Sequence, residues 1–245
     1  MGETCEVSTR DTNEVTMLDV RNLSSAYGQS QVLHGIDLSV KPGEIVALVG
    51  RNGMGKSTLM KSLIGVMPIQ SGQISVDGTD ITALPSHRRV ASGLAYVPQG
   101  RQIFGTMTVR ENIETGRVVT GDTDIPNAIY DLFPILADFQ RRRGGNLSGG
   151  QQQQLAIARA LASEPKVLLL DEPTEGIQPS IIKDIARLLK DIRTIRNLCI
   201  VVCEQVLSFV LDIADRIVVM EGGRIVHSDT RDHVDEAAVA RFLAV

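Results

Sequence analysis

Apolar positions along this chain gather into short β-rich runs at residues 15–20, 32–40, 44–49, 73–76 and 94–97. Turn signals such as Lys41-Pro42-Gly43-Glu44 and Asp77-Gly78 separate several of them, so each run predicts a strand. From about residue 101 to 163 the strand pattern gives way to helical spacing, interrupted at Pro126 and Pro134. Strand runs return at 166–171, 198–203, 216–220 and 224–227, with a helical stretch at 180–195. Strands alternating with helices predict an α/β fold whose sheet is mainly parallel and covered on both faces. The helical block then reads as an insertion between two halves of that sheet. The predicted division is a polar, aperiodic tail over 1–14, a core over about 15–100 and 163–245, and a helical subdomain over about 101–162. Val239, Phe242 and Leu243 within 234–245 predict a packed terminal helix.

A chain of 245 residues with 43% hydrophobic content has material enough for a buried core. The net charge of −4 gives no field to draw nucleic acid, and 3% aromatic content without Trp offers little surface for stacking bases. The polar start, with Glu3 and Glu6, does not read as a secretory signal. Apolar runs such as 198–203 are far shorter than the roughly 20 residues that cross a bilayer. The expectation is a soluble chain that meets a membrane only through partners. Cysteines stand at positions 5, 199 and 203. Cys199 and Cys203 share one predicted strand, about 13 Å apart and beyond disulfide reach, so buried thiols in a reducing cytoplasm are expected. His34, His87, His227 and His233 are scattered and lack metal-ligand spacing.

Candidate chemistry begins at Gly50-Arg51-Asn52-Gly53-Met54-Gly55-Lys56-Ser57-Thr58, between the apolar run 45–49 and a helical pattern through Leu59, Leu63 and Ile64. Glycines at a strand-to-helix turn let backbone amides approach phosphate oxygens, Lys56 adds a point charge, and the Ser57 hydroxyl can bind magnesium. Asp171 ends the apolar run 167–170, so its carboxylate should emerge at the C-terminal edge of the sheet, where open parallel sheets bind ligands. A hard oxygen there suits magnesium, directly or through water. The adjacent Glu172 is free to polarise an attacking water. Two neighbouring acids after a strand also fit a solvated turn, and the upstream phosphate loop is what favours the catalytic reading. Leu147-Ser148-Gly149-Gly150-Gln151 opens a helix through Leu161, with Ser148 as N-cap and two glycines leaving an anion-binding terminus uncovered. A flexible Gly-Gly hinge is the competing reading.

Taken in order, these motifs resemble those of the nucleotide-binding subunits of ABC transporters, over essentially the whole chain after residue 15. The resemblance implies an α/β fold with a RecA-like P-loop NTPase core, an antiparallel β subdomain and an inserted α-helical subdomain. It implies hydrolysis of MgATP between two such subunits, identical or paralogous. These would sit on two membrane permease subunits at the cytoplasmic face of the membrane, with an extracytoplasmic solute-binding protein as indirect partner. Gly50 to Thr58 would hold ATP, with Tyr27 stacked on adenine, although a half-buried strand-end tyrosine fits Tyr27 equally. Ser57, Gln99 and Asp171 would serve magnesium, and Gln99 would sense the attacking water while facing the permease. Leu147-Ser148-Gly149-Gly150-Gln151 would act in trans, with Ser148, Gly149 and Gly150 on the γ-phosphate of the opposite subunit.

Two positions depart from the wider family. Gln205 stands where a switch His is usual, and Gln178 where Asp is usual. An amide can donate a hydrogen bond to the γ-phosphate but cannot carry a proton, which leaves Glu172 as the catalytic base with Gln205 beside it. These departures, with Val201-Val202-Cys203-Glu204-Gln205 and the segment 97–104, resemble the subunits of branched-chain amino-acid-type importers. Within that branch, the stretch 171–182 and the ending Arg241-Phe242-Leu243-Ala244-Val245 resemble the urea-importer subunit. Urea is therefore the first expectation for the solute and branched-chain amino acids the second. A soluble ABC ATPase of DNA repair or translation is the competing class, but it should carry a long coiled coil or a second cassette. A non-hydrolysing binding module should lack the carboxylate at 172. The run Arg141–Arg143 fits a solvated face or a partner contact.

Overall fold

Period-two alternation along a set of wholly apolar strands divides the interior into two cores, one on each face of a single sheet. In the computed structural model, residues 15–243 are described. The predicted tail 1–14, Cys5, Ala244 and Val245 lie outside the described residues. The chain begins with β1 (Leu18–Tyr27), β2 (Ser30–Val40) and β3 (Ile45–Val49), then α1 (Lys56–Ile64), β4 (Ile69–Val76), β5 (Thr79–Asp80), α2 (Ser86–Ala91) and β6 (Leu94–Val97). Four helices follow: α3 (Val109–Arg117), α4 (Asn127–Leu132), α5 (Pro134–Asp138) and α6 (Gly149–Leu161). The last part is β7 (Val167–Asp171), α7 (Pro179–Arg196), β8 (Cys199–Cys203), α8 (Leu207–Ile213), β9 (Arg216–Glu221), β10 (Arg224–Thr230) and α9 (Glu236–Leu243).

One sheet has six strands in the order β10-β9-β3-β8-β7-β6, all parallel except the edge strand β10. β3, β7 and β8 are buried along their full length because both faces are covered. Ile45, Ala47, Val49, Leu168, Leu170, Ile200 and Val202 turn to one face, against the helical block, α7 and α8. Val46, Leu48, Val167, Leu169, Val201 and Cys203 turn to the other, against Leu59, Met60 and Leu63 of α1 and the second sheet. That second sheet is antiparallel, in the order β2-β1-β4-β5. β1 runs on to Tyr27, past the predicted end at residue 20. Its outer half, Ser24-Ser25-Ala26-Tyr27, carries no β-branched residue, and pairing to β2 and β4 through bulges holds it in the sheet.

Local signals fix the helices. The prolines that interrupt the helical pattern mark starts: Pro126 precedes α4 and Pro134 occupies the first turn of α5. Reciprocal capping boxes open α3 (Thr108 with Glu111) and α6 (Ser148 with Gln151). Residues 101–107 are not helical, and form an irregular connection from β6 to α3. Val109, Ile113, Ile129, Phe133 and Leu136 pack with Leu155 and Ile157 of α6, joining the helical block to the core under the large sheet. α2 and α8 escaped the sequence reading because each is short. Cys199 and Cys203 are buried free thiols at the two ends of β8. His227 pairs with Asp229 and His233 with Thr230. Val239 of the terminal helix is fully buried. Among the described residues no helix is long and apolar enough to cross a membrane.

Candidate functional site

The C-terminal edge of the parallel sheet gathers residues from four distant parts of the sequence. β3 ends at Val49, and Gly50 then turns with φ of 150°, where a Cβ would lie 2.3 Å from the Met220 carbonyl oxygen on β9. No side chain fits. Gly55 caps α1 with φ of 99° and offers no side-chain bond to the first helical turn, so the amides there are open to an anion. Lys56 is almost wholly buried, and its Nζ donates to the carbonyls of Gly50 at 2.6 Å and Arg51 at 2.9 Å. The loop thus curls around its own cation.

Beside it, the Ser57 hydroxyl donates to Asp171 Oδ1 at 3.0 Å, and the Tyr96 hydroxyl donates to Asp171 Oδ2 at 3.2 Å. Asp171 is held there by parallel pairing with Cys203 at the end of β8. Burial raises its carboxyl above the ordinary value of 3.8, against the lowering effect of the two hydroxyl bonds. Burial also pushes the Tyr96 phenol up, as does the Asp171 charge, and it raises the Cys203 thiol. A hydroxyl and a carboxylate in contact are a hard-oxygen donor pair. They fit magnesium, which takes one or two protein oxygens and completes its shell with substrate phosphate and water.

Glu172 leaves the strand in a left-handed conformation, φ 48°, with its amide donating to the Cys203 carbonyl at 2.9 Å. Both of its carboxylate oxygens accept hydrogen bonds, which the sequence did not foretell. Gln99 Nε2 donates to Oε2 at 2.9 Å and Gln205 Nε2 donates to Oε1 at 2.7 Å. Gln205 Nε2 also donates to Asn52 Oδ1 at 2.7 Å. Asn52, Gln205, Glu172 and Gln99 therefore form one chain of polar contacts from the phosphate loop to the connection after β6. Gln99 joins that chain and not the Ser57–Asp171 pair.

Residues 147–151, the signature turn that the resemblance would offer to a second subunit, lie elsewhere. Ser148 accepts from the Gln151 amide at 3.4 Å, while the Ser148 amide donates to Gln151 Oε1 at 2.9 Å. Leu147 is buried in the core. Gly150 faces α7 so closely that a Cβ would lie 2.6 Å from Ile181 Cγ2, which excludes a side chain. Among the described hydrogen bonds none joins 147–151 to 50–58. Tyr27 ends β1 half-exposed and is paired with Ser30 across the hairpin. The other arm of that hairpin brings Val32 and Leu33 against Gly55. Gln178 is exposed and precedes α7, without a side-chain cap.

Sequence reasoning missed Tyr96, Glu204 and Thr174. Glu204 is buried, and its carboxylate accepts from the Thr174 hydroxyl at 2.6 Å and amide at 3.2 Å, and from the amides of Gln205 at 2.7 Å and Val206 at 3.1 Å. Four donors compensate the buried charge and pin the loop of Gln205 to the loop after Glu172. An acid directly after the apolar run 199–203 was the available signal. Arg141, Arg142 and Arg143 are exposed, and Arg142 stacks on Phe139 with its guanidinium carbon 5.0 Å from the ring centre.

Against known proteins, the family model for the ABC transporter matches residues 33–175. The high-affinity branched-chain amino acid transport ATP-binding protein BraG of Pseudomonas aeruginosa is 42% identical over 217 residues, covering 87% of this chain and 93% of that protein. The probable branched-chain amino acid transport ATP-binding protein LivF of Archaeoglobus fulgidus is 36% identical, covering 90% of this chain and 94% of that one. A nucleotide-free ATP-binding cassette from an ABC transporter superposes with a TM-score of 0.80 at 27% identity, covering 88% of this chain and 91% of that one. The chain belongs to the ABC transporter family, as an ATP-binding and ATP-hydrolysing cassette with the RecA-like fold.

Proposed function

We propose that this cassette is the ATP-binding subunit of an importer for branched-chain amino acids, hydrolysing MgATP between two subunits to drive uptake through membrane permease subunits. The names of BraG and LivF support the solute, and they reverse the order that the sequence segments suggested. Urea becomes the second reading, carried only by the stretch 171–182 and the chain ending. The catalytic reading rests on Glu172, held by two amides beside Asp171, Ser57 and the phosphate loop.

In this reading the open amides at the start of α1, the Gly50–Thr58 loop and the third Lys56 donor hold the phosphates of ATP. Tyr27 covers the adenine. Ser57 and Asp171 would hold magnesium, which would neutralise charge on the phosphate oxygens. Glu172 polarises the attacking water and accepts its proton, while Gln99 and Gln205 fix the direction of that carboxylate. A second subunit, a copy or a paralogue, supplies Leu147 to Gln151 over the γ-phosphate. Nucleotide thus joins the two cassettes and loss of the γ-phosphate lets them part, a two-state element biased by one anion. The Gln99 loop and the helical block pass that motion to the permeases.

Glu172→Gln tests the reading. Loss of the base should lower phosphate release by about 10²- to 10⁴-fold while leaving nucleotide binding intact, and ATP should then hold the variant as a dimer. Unchanged phosphate release removes Glu172 from its role. Uptake of labelled leucine and of labelled urea, by cells with and without the chain, separates the two solutes.

A further inference from the structure

We propose that Arg101 is a positioning residue that locks the two segments offered to a second subunit, the signature turn and the loop after Glu172, to the Gln99 connection. The proposal rests on the reading above, in which ATP closes two cassettes on each other. Gly100, Arg101 and Gln102 all have positive φ, of 74°, 66° and 45°. A left-handed backbone is natural for Gly100 and unfavourable for the two residues after it. Glycine at 101 would adopt the same turn without strain, so the arginine is held there by what its side chain and carbonyl contact.

The guanidinium reaches the loop after Glu172, where Nη2 donates to the Glu175 carbonyl at 3.0 Å and lies 3.4 Å from the Gly176 carbonyl oxygen. It also passes the signature turn, with both terminal nitrogens 3.4 Å from the place a Cβ on Gly149 would take. From the other side, Arg159 Nη2 on α6 donates to the Gln102 carbonyl at 3.0 Å and lies 3.4 Å from the Arg101 carbonyl oxygen. Arg159 in turn stacks over Phe104, 5.2 Å from the ring centre. α6 is the helix that the signature opens. One residue therefore bonds the loop after Glu172, lies beside the open side of Gly149 and, through its carbonyl, meets the helical block. Among the described hydrogen bonds none joins Arg101 to residues 50–58, so it should leave ATP binding within the subunit alone. Its effect falls on how the signature turn and the 172–178 loop are presented together across the interface. Both carbonyls meet the single nitrogen Nη2, at the far end of a side chain longer than lysine's, so a lysine ammonium serves them less well.

Arg101→Gly and Arg101→Lys, made in the full chain, test this by ATPase kcat and KM for ATP, melting temperature and MgATP-dependent association. For Arg101→Gly the expected result is a kcat lower by about tenfold or more with KM within about twofold, as befits misplacement of reacting parts. Its melting temperature should hold or rise, since glycine relieves the strained turn, and association with MgATP should weaken. Arg101→Lys should recover only part of the lost kcat. An unchanged kcat in Arg101→Gly overturns the proposal. So does a melting temperature that falls together with activity, which would make Arg101 a scaffold, or a KM that rises as kcat falls. Wild-type protein that neither hydrolyses ATP nor associates in MgATP overturns the cassette-pair reading, and this proposal with it. Active wild type beside an equally active Arg101→Gly overturns this proposal alone.

Discussion

Replacing Gln205 by alanine removes two hydrogen bonds, both 2.7 Å long, one to the Glu172 carboxylate and one to the Asn52 amide oxygen. The bond to a charged acceptor is worth about 1.5–3 kcal/mol and the neutral one about 1 kcal/mol. If the first holds the carboxylate in the direction needed at the transition state, its loss lowers kcat by roughly 10- to 150-fold. The KM for ATP should change little, because the bond to the phosphate loop is neutral and Gly50 to Thr58 keep their own contacts. A second variant reads the chemistry of the amide. Glutamine does not titrate, so wild-type activity should show no step near the imidazole range, around pH 6.5. Gln205→His should introduce one, with activity changing as the ring takes up a proton beside Glu172. Steady-state ATPase profiles of the three proteins from pH 5.5 to 9 supply the comparison. A kcat for Gln205→Ala within twofold of wild type, or a His variant whose profile superimposes on the wild-type curve, refutes the reasoning.

Asp171→Asn should separate stability from turnover. Burial raises the Asp171 carboxyl above its ordinary 3.8, so its contribution to folding is most favourable below that value and is lost as pH rises through the folded one. At pH 7.5 the asparagine variant should therefore melt no lower than wild type, with the comparison moving toward wild type as pH falls to about 4, while magnesium-dependent ATPase is lost. A variant less stable by more than about 1 kcal/mol at pH 7.5 goes against this account. Gly223→Ala acts through the backbone: a Cβ would lie 1.8 Å from the Val32 carbonyl oxygen at a φ of 73°. The Gly223 amide donates to the Met54 carbonyl at 3.1 Å, so the strain should reach the phosphate loop. Calorimetry should show a loss of about 2 kcal/mol or more, and titration a weaker affinity for ATP; an unperturbed protein would contradict the clash.

The parts legible in the sequence are those whose signal is local. Gly50 to Thr58 needed only a strand before it and a helical pattern after it, and Asp171 only its place at the end of an apolar run. Ser148 declares a helix start as an N-cap, and the fold adds Gln151 as its reciprocal partner. Resemblance, not pattern, singled out Gln99 and Gln205, and the network they form with Glu172 spans residues 52 to 205. No periodicity reports that proximity. The outer half of β1 was illegible for a different reason: tertiary pairing overrides its weak local preference. Glu204 reads as one more polar residue after a strand until the fold buries it against Thr174.

The contacts at Lys56 bear on how strongly such a site can hold its ligand. Its ammonium has three donors, and two already meet the carbonyls of Gly50 and Arg51. An incoming phosphate can take the third without disturbing the loop, or displace a carbonyl in an exchange of one acceptor for another. Exchange for a charged phosphate oxygen contributes about 1.5–3 kcal/mol per bond, below the 4–6 kcal/mol of a bond formed in an apolar medium where none existed. The carbonyl bonds also hold the lysine in place beforehand, so little side-chain entropy is lost when phosphate arrives. The same logic applies to Glu172, whose two amide donors fix the carboxylate before any water reaches it. Charges that are satisfied within the chain give a loop that keeps its shape as its ligand comes and goes. That suits the proposed cycle of repeated closure and opening, in which the loop must take the same shape at every turn.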